Sequence, residues 1–392
     1  MSQDDTPPHD RGRIIHEILW SEALPWWLLF RAAGAAFAPT VILLALLGGL
    51  ATWAGWSIAD SLRLAGADPA ADAILDASLG GGPVIPGPDG SGATALLAPS
   101  RQALPALRSA WAWLPRPVAD VLDLVGIPFR PTATLTQMGG ALVRIGWFVL
   151  VWSIFGTAIT RHVALKLIGE EAPGLVGAVL YGARKWLAAF NSVGFVLLGI
   201  VALSIPGALL GLLMRTDWGL AVAGAIWPLV LAGAVVLAIL AIGLVFGWPL
   251  MVAAVGVERG DSFQAISTSF SYLYQRPLHY AFYGLVALVV ALPAFAAAGL
   301  FADATSTLAL WAASFGMGHD RTLAVLEGLR GTTDASWGIR ALGFWTRGLE
   351  SLLGSFGWGY FWAIATAAYM LLRQDVDGTE LDEVVLDEPG TT

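Results

Sequence analysis

The sequence contains no cysteine. Disulfides, thiolate zinc sites and cysteine nucleophiles are therefore excluded, and the redox compartment is left open. Charge is scarce as well: 13% of the 392 residues are Asp, Glu, Lys or Arg, against roughly 25% in soluble domains. The five histidines, His9, His16, His162, His279 and His319, have no second His at i, i+4, so the spacing of a paired-histidine metal site is missing. Neither a G-x-S-x-G elbow nor a P-loop Gly-Lys pair occurs. GSFGWG (354–359) is not a dinucleotide fingerprint and lies inside an apolar run. No catalytic, cofactor or metal site is assigned, and the expectation is a protein that is not an enzyme and carries no cofactor.

What remains is apolar: 57% of the chain. Runs of about 20 uncharged residues are long enough to cross a bilayer as helices. The expected fold is all-α, a polytopic transmembrane bundle of about six spans with interfacial amphipathic helices and an extracytoplasmic helical cap. The divisions are 1–31, a cytoplasmic tail and interfacial helix; 32–59, the first span; 60–137, an extracytoplasmic segment; 138–302, spans two to five with two cytoplasmic interfacial helices; 303–350, an extracytoplasmic helical segment; 351–372, the sixth span; and 373–392, an acidic cytoplasmic tail. The start does not read as a cleavable signal, because its first charges are Asp4, Asp5 and Asp10. Within 60–137, Gly80–Gly92 reads as a loop, flanked by helical patterns such as Leu104, Leu107, Trp111 and Leu114. The 40-residue uncharged run Trp218–Val257 reads as a tilted fourth span over Gly219–Trp248, with Pro249–Val257 running out along the interface. Two short spans are the alternative.

Basic residues near span ends set orientation. The loop between spans two and three holds Arg161, Lys166, Arg184 and Lys185, which include both lysines of the chain. Both termini and the loops at 161–185 and 258–279 are therefore expected in the cytoplasm of a bacterium, with the chain in its inner membrane. Arg161, Lys166, Arg184, Lys185 and Arg276 are read as anchors to lipid headgroups or the interface. Arg144, at the edge of span two, is read as a snorkelling side chain. Tryptophans 53, 56, 186, 218 and 248 fall at belt positions. Gly207/Gly211 and Gly243/Gly247 form G-x-x-x-G pairs suited to close helix approach.

The chain is organised around Gly247–Tyr283: an apolar run, a charged turn, an amphipathic helix over Asp261–Gln275 and re-entry into the membrane. Asp261 and Gln264 have capping-box spacing. Phe263, Ile266, Phe270, Leu273 and Tyr274 form one apolar face, expected to meet lipid or the spans. Residues 161–190 echo 253–282, each a turn, a helix of about four turns, a basic residue and the next span. On Glu258, Ser262, Ala265, Ser269, Arg276 and Pro277 the chain resembles a broad group of uncharacterised bacterial polytopic membrane proteins that repeat a span, an interfacial helix and a span. The membrane domain of some glycerophosphoryl diester phosphodiesterases is similar. YMLLRQDVDGTELDEV (369–384) resembles the ending of one such family. The resemblance implies a fold only; no phosphodiesterase motif is present to carry an activity over.

The acidic end, Gln374–Thr392, interleaves Val376, Leu381, Val384, Val385 and Leu386 among seven acids. Anionic lipids repel such a segment, so Leu381, Val384 and Val385 are read as contacts to a partner or to the basic loop of this chain. Partners are thus membrane lipids and proteins bound through the outer cap or the acidic tail; nearly neutral elsewhere, the chain offers nothing to nucleic acid. The leading reading is a non-enzymatic scaffold or accessory subunit of a membrane assembly. The alternative is a permease for an uncharged or lipid-like solute.

Overall fold

A computed structural model describes residues 24–62, 121, 124–129, 133–330 and 336–381. These form α1 (Trp27–Ala36), α2 (Pro39–Ser61), a 3-10 turn (Ile127–Phe129), α3 (Leu135–Ile168), α4 (Leu175–Leu213), α5 (Asp217–Glu258), α6 (Ser262–Gln275), α7 (Pro277–Met317), α8 (His319–Leu329), α9 (Trp337–Gly354) and α10 (Phe356–Asp377). The described fold is all-α, and α2, α3, α4, α5 and α7 are long and apolar enough to cross a membrane. The Gly80–Gly92 loop, the patterns around Leu104–Leu114 and the first turns of the expected N-terminal helix lie outside the described residues.

Local chemistry fixes the helix ends. Pro39 opens α2, and the residue before it, Ala38, is extended at φ −62°, ψ 133°, because a proline ring disfavours helix at the preceding position. The expected first span is therefore split into α1 and α2. Thr134 and Gln137 form a capping box at the start of α3, and Gly169 ends it at φ 85°. At the end of α5, Arg259 takes φ 59°, the one positive value at a non-glycine residue among those described. The chain turns there into α6. Asp261 caps α6 by accepting from the Gln264 amide at 2.8 Å. The Gln264 side chain does not complete the box; it donates to Glu258 at 2.8 Å instead.

Other boundaries differ from the sequence reading as well. The first interfacial helix is not separate: it is the opening of α4, one helix of 39 residues. Its register continues without a breaker from Leu175 through Trp186. Residues 218–257 belong to one helix, α5, of 42 residues or about 63 Å. Its Pro249–Val257 portion does not run along an interface, since every residue from Leu250 to Val257 is buried among other helices. Finally, α7 continues past 302 to Met317.

The core gathers the second half of α3, the end of α5, most of α10 and the buried face of α1. Trp152 and Trp362 are fully buried. The Trp362 ring meets Trp248 edge-on at 5.2 Å, and Trp152 lies 4.7 Å from Trp358. Trp248 is thus a core residue, not a belt residue. Trp56 likewise turns inward, donating to the Arg144 carbonyl at 3.2 Å. Two glycines set the helix spacing. A Cβ at Gly182 of α4 would stand 2.2 Å from the Ile154 carbonyl oxygen of α3. One at Gly256 of α5 would stand 2.0 Å from Thr160 Oγ1. Small residues allow backbones to approach this closely. Of the two G-x-x-x-G pairs, Gly243 and Gly247 lie against Phe270, whereas Gly207 and Gly211 meet nothing within 4 Å.

Candidate functional site

The densest polar cluster lies where α5, α6, α7 and α10 converge. Glu258, the last residue of α5, accepts from Tyr369 Oη at 2.5 Å and from Gln264 Nε2 at 2.8 Å. Arg373 Nε faces the same carboxylate at 3.4 Å. Tyr272 of α6 donates to Asp377, and Tyr283 of α7 donates to Asp375 at 2.8 Å. The Tyr272 and Tyr369 rings sit 5.5 Å apart. Burial pushes the Tyr272 phenol up from its ordinary value of 10.0, and the Asp377 carboxylate beside it adds to the shift. The hydroxyl therefore stays a neutral donor.

Asp375 and Asp377 were expected in an acidic cytoplasmic tail beyond the sixth span. They belong instead to the last turn of α10, which ends at Gly378 with φ 67°. Leu381, expected to contact a partner or the basic loop, packs on the core of this chain, as does Val376. Burial of an apolar side chain and two tyrosine–carboxylate bonds hold the segment there. Val384 and Val385 lie outside the described residues.

The five expected anchors are dispersed. Arg161 is buried, with 1% of its surface exposed. Its guanidinium lies 5.4 Å from the centre of the Tyr181 ring, a geometry in which the aromatic face attracts the cation. Lys185 is half-buried and donates to the Arg259 carbonyl at 2.7 Å, which ties α4 to the turn after α5. Lys166, Arg184 and Arg276 are exposed. Arg144 pairs with Asp60 of α2 at 2.5 Å. Arg31, not singled out in the sequence, donates to the Leu167 carbonyl at 2.7 Å, where a cation complements the carbonyl end of α3.

The functional residues missed by sequence reasoning are the tyrosines. All seven of them donate to another helix: Tyr181 to Val255, Tyr272 to Asp377, Tyr274 to Ile239, Tyr280 to Phe246, Tyr283 to Asp375, Tyr360 to Ala287 and Tyr369 to Glu258. A phenol has an apolar ring and one polar tip, so burial selects positions where a partner is in reach. Their scarcity beside 18 tryptophans was the available signal.

On α6, Ile266 and Phe270 of the expected apolar face pack against the core. Ser262, Ala265, Ser269, Tyr272 and Leu273 are buried, while Phe263 is 66% exposed. Small side chains let α6 lie close along α5; the larger Phe270 packs sideways at Gly243.

A second feature is a groove of about 440 Å³ between α2 and the junction of α9 with α10, lined by Leu46, Gly49, Leu50, Trp53, Ser351, Gly354, Ser355 and Trp358. Among the described residues there is no group of three His, Asp or Glu placed to hold a metal ion. Comparison with protein-family models, with curated proteins and with solved structures finds no match.

Proposed function

We propose that the chain is a non-enzymatic scaffold or accessory subunit of a membrane assembly. One observation carries this reading. The outer halves of α4 and α5 pack on little besides each other: their most apolar windows are 11% and 6% buried. An arm of this kind offers long apolar faces beyond the chain's own core, and such faces suit helices of other membrane proteins as well as lipid. In this proposal α10 is the sixth span, the protein sits in a bacterial inner membrane, and 303–350 contributes to a cap outside. The likeness to proteins that repeat a span, an interfacial helix and a span belongs to the same proposal. Exposed Lys166, Arg184 and Arg276 meet headgroups, and 382–392 is available to a partner. Purification in mild detergent tests the reading: stoichiometric partners are expected, and they should be lost when Leu209, Leu229 and Val235, all exposed, are replaced together by Ala. Recovery of the chain alone from native membranes would count against a scaffold.

Orientation has its own test in this cysteine-free chain. A single cysteine at Ser91 should react with an impermeant thiol reagent in intact cells, and one at Thr379 should not. The reverse pattern would overturn cytoplasmic termini. The second reading, a permease for a lipid-like solute, is favoured by the groove beside α2, and solute flux in liposomes containing the purified protein is the result it requires.

A further inference from the structure

The groove between α2 and the α9–α10 junction has features of a lipid site rather than of a packing defect. Its α2 wall, Leu46 to Trp53, lies within the candidate span Pro39–Ser61. The mouth is open, with Leu50 49% and Trp53 68% exposed. Gly49 lines it, and a Cβ there would meet nothing within 4 Å, so the space is free along its length at that position. Whatever fills a groove inside a span must be apolar where it touches Leu46, Leu50, Trp53 and Trp358. The volume falls in the range of small-molecule sites, about 300–1,000 Å³.

The other wall is mixed: Ser351 and Gly354 of α9, then Ser355, and Trp358 of α10. Residues three, four and seven apart share a helix face, so Arg347 lies on the same face one turn earlier, and Arg340 two turns before that. Both arginines are exposed. Leu342 and Trp345 occupy the opposite side of α9, while Phe344 and Trp337 stand three positions before Arg347 and Arg340 on the arginine side; all four are exposed. Glu350, the single acid of this helix, sits at the flank of the basic face. From Ser351 this face of α9 runs one turn on to Arg347, whose guanidinium lies beside Gly343. Guanidinium groups bind phosphate in a bidentate manner.

We propose that this groove holds an anionic phospholipid, one acyl chain lying between α2 and α10 against Trp53 and Trp358, with its phosphate on the Arg347 face of α9. The occupant follows from the pairing of an apolar slot in a span with a basic strip at its end. The site stands apart from the scaffold reading, since it requires only that α2 lies in the membrane.

The test is native mass spectrometry of the full chain, delipidated in detergent and mixed with equal amounts of phosphatidylglycerol and phosphatidylcholine. The wild type should retain one lipid per chain, with phosphatidylglycerol preferred by about fivefold, the factor expected for one basic residue near an anionic headgroup. Gly49→Trp fills the slot and should lose the retained lipid. Arg347→Ala should keep a lipid but lose the preference. Gly34→Trp, at an exposed glycine of α1 that meets nothing within 4 Å, should behave as wild type. If Gly49→Trp is not monodisperse on size exclusion, Leu50→Trp at the mouth carries the same expectation. Equal retention by wild type and the slot-filling variant, or an unchanged preference in Arg347→Ala, would overturn the proposal.

Discussion

Two stretches of α5 share one helix and differ in nearly everything else. The window with the highest mean hydropathy, 3.0, is 6% buried, whereas Leu250–Val257, at the end of the same helix, is buried throughout. The contrast extends to the other spans. In α4 a mean hydropathy of 2.4 goes with 11% burial, and in α3 a lower value, 1.8, goes with 50%. In a soluble protein the most apolar segments go inside. Here lipid is as apolar as leucine, so hydropathy alone does not draw a helix into the core. What draws it in is close packing and bonding: Gly182 and Gly256 at crossings, tryptophan against tryptophan, and tyrosine hydroxyls reaching carbonyls and carboxylates.

The largest expected effect comes from emptying the packed region. Trp362→Ala should cost roughly 3–5 kcal/mol, as for other buried large aromatics, measured by thermal or denaturant unfolding in detergent. Leu229→Ala in the arm, where Leu229 is 74% exposed, should stay within about 0.5 kcal/mol. Equal losses in the two variants would erase the distinction between the regions.

Glycine substitutions sharpen it. Gly256→Ala forces a methyl group against Thr160 and should cost roughly 1–3 kcal/mol. Gly207→Ala, where a Cβ meets nothing within 4 Å, should be neutral or stabilise by about 0.5–1 kcal/mol. A destabilised Gly207→Ala variant would reveal a contact there with another chain.

Smaller effects belong to the polar cluster. Glu258→Ala leaves Tyr369 and Gln264 without their acceptor and should cost roughly 1–3 kcal/mol. Tyr272→Phe should cost about 0.5–1.5 kcal/mol. The pH dependence has a definite sign. The folded phenol of Tyr272 is raised above its ordinary 10.0, so its contribution is fully present below pH 10.0 and is lost as pH rises past that value, where the unfolded state ionises first. An alkaline unfolding series should show this loss in the wild type and a shallower one in Tyr272→Phe.

Much of the architecture was legible because apolar run length and proline position act locally. The Asp261 cap was read from neighbours in sequence, and it marks a helix start in the structure. The polar cluster was not legible. Glu258 stands more than a hundred residues from both Tyr369 and Asp377, and only the fold brings the ends of α5 and α10 together. The burial of Arg161 and the Lys185 bond to Arg259 were not legible for a related reason. Basic residues near span ends report insertion orientation, whereas burial depends on which helix lies over them. The tail was set apart from the last span because its seven acids cluster in sequence, although Asp375 and Asp377 each meet a tyrosine of another helix.

The central claim is that α5 passes from lipid into protein along its own length. Single cysteines at Leu229, Val236 and Val252, spin-labelled in the otherwise cysteine-free chain and reconstituted in bilayers, measure this through collision with dissolved oxygen. High oxygen accessibility is expected at 229 and 236 and low accessibility at 252. Equal accessibility at all three positions would contradict the division of the molecule into an arm in lipid and a core packed in protein.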